Sequence, residues 1–308
     1  MDPEDILGLL ERSGYRGVIF PYRRVDEAKE TIRAFFRDGM LDKGFYNEWM
    51  PTYLDAKPPK TMPRPKSVFI VATPAPQRRV TFHLGGQVFE FVVPPTYGTG
   101  ARVNRTLRSI LRSGQGGNSL KLVNAYPPLK LLAVRSGLAM YGRNNITYVP
   151  GFGSFHRLTA FYSDHEAPDV HWGKMRTLPK CAKCGACISA CPTKAISEDR
   201  FLIRAERCIS CMNERTSDHA FPSWVRPEWH NAIVGCMTCQ RVCPYDREFM
   251  GKFETGPSFS EEETEYLLKG KYSGKKAAVM ATKLKRAGLD IGIFPRNLKT
   301  LLDRAKSK

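Results

Sequence analysis

The sequence has no acidic residue between Phe91 and Ser163. That stretch still carries Arg102, Arg105, Arg108, Arg112, Lys121, Lys130, Arg135, Arg143 and Arg157, in a chain of formal net charge +18. Arg-rich surface without carboxylates suits a polyphosphate, because each neutralised phosphate releases counterions. The plain alternative is a solvated basic face with no partner. Cysteine is missing from the first 180 residues and from everything after position 243. Crowding all nine cysteines into one segment argues for metal ligation rather than a disulfide framework. No apolar run approaches the roughly 20 residues that span a bilayer. The opening stretch, "MDPEDILGLLERSGYRG", is acidic and amphipathic, unlike a signal or transit peptide, so a cytoplasmic protein is expected.

What is present is ordinary for a globular protein. The 308 residues are 42% hydrophobic and 25% charged, enough for two domains with a sizeable core. Residues 4–14 and 26–38 have helical apolar spacing, and "KPPKTMPRPK" (57–66) is too rich in proline for regular structure. "SVFIVATPAP" is a β-branched run that predicts a buried strand from Ser67. "RVTFHLGGQVFEFVV" predicts a hairpin turning at Gly85-Gly86, where glycine supplies the positive φ a two-residue turn needs. Helices follow at 101–114, with its arginines opposite an apolar face, and at 128–137, between Pro128 and Gly137. The tail holds short helices, one opened by a Ser260/Glu263 capping box. The expected fold is α+β: an α/β domain over 1–175, a ferredoxin-like cysteine domain over 176–250 and a helical tail over 251–308.

The cysteine spacing is the most specific signal. Cys181, Cys184, Cys187 and Cys191-Pro192 follow C-x2-C-x2-C-x3-C-P, the bacterial ferredoxin run, in which the fourth cysteine serves the other of two clusters. Cys236, Cys239 and Cys243-Pro244 repeat its end. Zinc ribbons also use C-x2-C pairs, but they lack the doubled Cys-Pro ending. Two [4Fe-4S] clusters need eight thiolates, so one of nine is spare. The economical partition gives Cys181, Cys184, Cys187 and Cys243 to one cluster, and Cys191, Cys208, Cys236 and Cys239 to the other. Cys211 is left over. Between Cys208 and Cys236 lies an insertion that a plain ferredoxin lacks.

"RCIS" and "GCMTCQRVCPYD", following "CAKCGACISACPTKAI", resemble the epoxyqueuosine reductase family, corrinoid-dependent iron–sulfur enzymes related to the reductive dehalogenases. "MPRPKSVFIVATPAP" and "AVRSGLAMYGRNNITYVPGFGSF" are similar to upstream segments of that family, and "RNLKTLL" weakly resembles its first helix after the clusters. The likeness is strong over 131–250 and weak over 1–60. In the family the residue matching Cys211 is usually aromatic and is no ligand, which again makes Cys211 the spare. The resemblance implies a nitroreductase-like first domain holding cobalamin or another corrinoid. Gly137 and Leu138, with the loop of Gly151, Gly153, Ser154 and Phe155, would then lie along the corrin; ordinary turn glycines are the alternative. It also implies a low-potential electron donor, ferredoxin or flavodoxin, and a substrate that is an epoxide on a tRNA base in one branch and an organohalide in the other.

One departure from the family matters. Where it carries an acidic residue thought to donate a proton, this chain has "VNAYPP", with Asn124 at the matching position, and an amide is no general acid. Tyr126, Tyr141 and His156 are the nearest alternative donors, although each also suits a packed structural role. Three function classes are therefore weighed. The first is a corrinoid-dependent reductase acting on tRNA or on a small organic electrophile. The second is an electron-transfer protein without its own substrate, for which a large first domain is unnecessary. The third is an RNA-binding protein with structural clusters, which leaves the Gly-Phe-Gly-Ser loop unexplained.

Overall fold

The computed structural model describes residues 3–97, 100–113, 121–169 and 172–306. Among them nine strands form in chain order: β1 (Arg16–Pro21), β2 (Ser67–Pro74), β3 (Gln77–Leu84), β4 (Gln87–Val93), β5 (Leu122–Ala125), β6 (Met140–Tyr141), β7 (Thr147–Tyr148), β8 (His156–Ser163) and β9 (Phe253–Phe259). The chain divides into two compact units. The first comprises Met1–Pro74, Gly100–Cys184 and Asp199–Leu202; the second comprises Ala75–Thr99, Gly185–Glu198 and Ile203–Lys308.

The first unit is built on a four-stranded sheet in the order β1-β2-β8-β5, antiparallel at every junction. The helical connection from β1 returns the chain antiparallel beside it, so this region is α+β rather than a wound α/β sheet. The run "SVFIVATP" is the inner strand β2, buried along nearly its whole length because both sheet faces are covered. On one face, Ile6 and Leu10 of helix Pro3–Arg12 and Leu107 of helix Gly100–Ser113 pack with Phe69, Val71 and Phe161. Gly17 permits the close approach there: a Cβ would stand 2.9 Å from Leu10 Cδ1. On the other face, helices Arg23–Arg37 and Leu129–Arg135 bring Val25, Ala28, Leu132 and Val134 against Val68, Ile70 and Ala72. Pro128 sits at the N-cap of the second of these helices, which starts one position later than the expected span of 128–137.

The second unit carries the hairpin. Gly85 (φ 61°) and Gly86 (φ 70°) make the left-handed turn that sequence predicts, and β3 pairs with β4 through Leu84 and Gln87. The hairpin lies within the span expected for the first domain, yet its strand β3 pairs in parallel with β9, which follows the cysteine region. β9 reads "FETGPSF", whose Gly-Pro pair hides it from sequence reasoning, since both residues weaken a strand. The irregularity has a cause. A Cβ at Gly256 would stand 2.5 Å from the Arg79 carbonyl, where the register shifts. Phe82 stacks on Phe259 at 4.9 Å and joins Phe294, Leu267, Leu284 and Leu298, so this sheet and the tail helices share one core. The capping box forms as expected, with Ser260 N donating to Glu263 Oε2 at 2.9 Å and Glu263 N to Ser260 Oγ at 3.3 Å.

Candidate functional site

Cys208 caps helix Ile209–Glu214 at its N-terminus, and Cys211, three residues on, lies on the same helical face. The Cys211 thiol hydrogen-bonds Cys208, and this is the leading influence that brings Cys208 down to about 7. Cys236 and Cys239 stand at the start of helix Thr238–Arg241. Burial pushes both thiols up, and for Cys239 the charges of Cys236, Cys208, Cys187 and Cys191 add to it. The second-cluster set expected from spacing, Cys191, Cys208, Cys236 and Cys239, therefore shares one neighbourhood, which Cys187 also reaches.

Thiolates that burial makes costly become favourable once a cationic centre compensates them, so the donor set suits a cluster. Polar groups stand beside the sulfurs. Asn231 Nδ2 lies 3.5 Å from Cys236 Sγ, Thr238 Oγ1 lies 3.4 Å from the same sulfur, and Thr193 Oγ1 lies 3.5 Å from Cys191 Sγ. Such contacts tune a cluster's potential. Among the described residues no three His, Cys, Asp or Glu side chains converge closely enough for a single metal ion. Cys181 lies in the short turn Pro179–Lys183, its carbonyl accepting from Cys184 N at 3.3 Å and from Arg143 Nη2 at 3.2 Å. Cys187 lies in helix Ala186–Ala190, and Cys243 precedes the turn Pro244–Asp246.

The frame around the insertion carried no sequence signal. Asn213, His230 and Asn297 are all buried. Asn213 Nδ2 donates to the Gly235 carbonyl at 2.8 Å, His230 Nδ1 lies 2.9 Å from Asn213 Oδ1, and Asn297 Nδ2 donates to the carbonyls of Asn213 (2.8 Å) and Ile233 (2.9 Å). Arg296 donates to the carbonyls of Met212, Arg215, Thr216 and His219 and stacks 4.1 Å over Phe221. Tyr97 donates its hydroxyl to Glu214 and packs on Gly235, where a Cβ would stand 2.7 Å from the ring. Burial raises this phenol well above its ordinary pKa.

The expected substrate-side residues divide between the two faces of the first sheet. Asn124 pairs with Phe161 across β5 and β8, and its Oδ1 accepts from Arg108 Nη2. Tyr126, just beyond β5, is 71% exposed. Tyr141 is instead buried in the core cluster of the opposite face, where burial raises its pKa well above the ordinary 10.0 and weakens it as an acid. His156 is buried, with Nδ1 3.1 Å from the Gly153 carbonyl and Nε2 3.1 Å from Thr147 Oγ1. Burial depresses it to about 4, so it is a neutral ring that fixes the Gly153 loop. Ser154, Phe155 and Leu138 turn inward. Gly137 and Gly151 are exposed, with φ of 83° and 81° and open space where a Cβ would stand. Only their backbone offers itself to a ligand, which suits a flat ring.

A sequence model for a 4Fe-4S double cluster binding domain matches residues 180–246. The epoxyqueuosine reductase of Aliivibrio fischeri is 37% identical over 117 residues, covering 38% of this chain and 30% of that protein. That of Escherichia coli is 35% identical over 119 residues, covering 38% and 29%. Over these segments the chain is similar to the epoxyqueuosine reductases. It matches less than a third of the length of either of these two. Among solved structures, the epoxyqueuosine reductase of Streptococcus thermophilus superposes with a TM-score of 0.58 at 17% identity, covering 99% of this chain and 83% of that one. A second epoxyqueuosine reductase, solved with an epoxyqueuosine-modified tRNA stem loop, gives 0.56 at 20% identity over 79% and 65%. At such identities these are likenesses of fold.

Proposed function

We propose that this chain is an iron–sulfur reductase of the epoxyqueuosine reductase kind, acting on a modified base of tRNA with a corrinoid as its second cofactor. Cys181, Cys184, Cys187 and Cys243 hold one cluster, and Cys191, Cys208, Cys236 and Cys239 the other. The observation that carries the reading is this doubled cysteine pattern, matched by the double-cluster family and joined to a fold shared with epoxyqueuosine reductases. Clusters supply electrons singly, whereas reducing an epoxide to an alkene and water consumes two electrons and two protons; a bound corrinoid would supply the chemistry that joins the two. The exposed backbone of Gly137 and Gly151 borders it, while Leu138, Gly153, Ser154 and Phe155 shape the turns that carry that backbone. His156 keeps the loop in place from below.

Tyr126 is the better-placed proton donor, because it is exposed while Tyr141 is buried. Asn124 orients substrate through its amide. Electrons enter from a low-potential ferredoxin or flavodoxin in the cytoplasm, and the Arg-rich helix Gly100–Ser113 tracks tRNA phosphates. Anaerobic reconstitution with cobalamin, followed by turnover of epoxyqueuosine-containing tRNA, tests the proposal. Uptake of corrinoid with turnover that Tyr126→Phe slows at least tenfold supports it. No uptake rejects the second cofactor. Uptake without tRNA turnover favours the second reading, a reductase of small organic electrophiles, which the Arg108-bound Asn124 supports.

A further inference from the structure

The surroundings of Asn124 form an array of donors. Register fixes which way the side chains face. Asn124 pairs with Phe161, so Thr159 and Arg157, two and four residues back along β8, share its side of the sheet, and Tyr126 follows directly on the end of β5. Helix Gly100–Ser113 lies on that side: Leu107 packs with Phe161, and the Arg108 guanidinium stands 5.8 Å from the Phe161 ring centroid while donating to Asn124. Tyr126 is exposed and close enough to Arg157 to act on its charge. The Thr159 hydroxyl, in a residue only 8% exposed, is buried without a hydrogen-bond partner among the described residues. None of the five is acidic. Asp164, just past the other end of β8, accepts the Lys121 N–H instead.

We propose that Arg108, Asn124, Tyr126, Arg157 and Thr159 bind an oxyanion carried by the substrate, a carboxylate or a phosphate. The inference rests on the reductase reading and adds the substrate's charge to it. Arg108 and Asn124 act as a unit. A guanidinium has no acceptor, so it claims the amide oxygen and leaves both amide N–H groups for a ligand. An anion bound against the Arg108–Asn124 unit gains charge-assisted hydrogen bonds from the guanidinium and the amide N–H groups.

Calorimetric titration of the cluster-loaded protein with inorganic phosphate and with acetate, at constant ionic strength, tests this. One saturable site per chain is expected for at least one anion, weakened at least tenfold in Arg108→Gln and in Asn124→Asp. Asn124→Asp is nearly isosteric and adds only a repelling charge, so undiminished binding in that variant overturns the proposal even if Arg108→Gln unfolds. Lys275→Gln/Lys285→Gln, in the second unit, leaves the affinity unchanged; equal weakening there, or no saturable binding, also overturns it. An RNA stem-loop added as competitor separates the sources: displacement assigns the site to an RNA phosphate, and its absence to the anion of a small substrate. The titration requires neither corrinoid nor turnover, so its failure leaves the reductase reading standing, and the iron count tests that reading separately.

Discussion

Arg108 donates to the amide oxygen of Asn124, and that bond decides what a substitution at 124 can do. Restoring a carboxyl with Asn124→Asp places it beside a guanidinium, which lowers its pKa and leaves it ionised rather than acidic. No gain in epoxyqueuosine turnover is expected from Asn124→Asp alone. Steady-state rates of Asn124→Asp and of the Arg108→Gln double variant check this, any gain appearing only in the double. Cys211 is a second single-residue case. It supports Cys208 by a hydrogen bond yet falls outside the eight proposed ligands. Cys211→Ala should keep both clusters, while Cys208→Ala loses one, read as iron per chain; the reverse pattern rejects the partition. The buried histidines give a pH signature. His156 and His230 fall from 6.5 to about 4, mainly through burial. Their neutral forms are favoured in the fold, so their contribution is complete above about pH 6.5 and is lost as pH falls towards 4. On the order of 3 kcal/mol per histidine is the upper bound. His156→Gln should flatten the pH dependence of the urea midpoint across that window relative to wild type.

At the scale of elements, the legible parts were those whose local chemistry and tertiary role agree. Strand β2 announced itself by an uninterrupted apolar run, the hairpin by Gly85-Gly86, and helix Glu261–Lys269 by its capping box. Strand β9 stayed hidden because Gly256 and Pro257 contradict strand propensity, and only the approach to the Arg79 carbonyl explains the glycine. The two tyrosines looked equivalent in sequence, but one follows the end of β5 and meets solvent while the other, in β6, is buried in the core. Side-chain-to-carbonyl bonding was equally invisible, since nothing in "FPRNLKTLL" says that Arg296 will serve carbonyls some eighty residues away. Arg296→Ala should destabilise the second unit by about 1–3 kcal/mol, because the half-buried carbonyls of Met212 and Arg215 lose a charged donor. Arg296→Lys should recover little, since an ammonium lacks the planar fork. Urea unfolding followed by tryptophan fluorescence reads both, and a midpoint unchanged in Arg296→Ala would show that the bonds are dispensable.

For the whole molecule, charge and cofactor content set what the chain can partner. The +18 charge and the acid-free segment predict RNA affinity that falls steeply with salt. Charge reversal at Arg105 and Arg108 should weaken it without loss of iron, as checked by filter binding across salt; Arg112, also in the acid-free stretch, has its side chain outside the described residues. None of this matters unless the cysteines hold two clusters. The most direct measurement is therefore iron and acid-labile sulfide per chain, with zinc assayed alongside, after anaerobic purification and reconstitution. Two four-iron clusters require about eight of each; four or fewer irons, or stoichiometric zinc, would contradict the account.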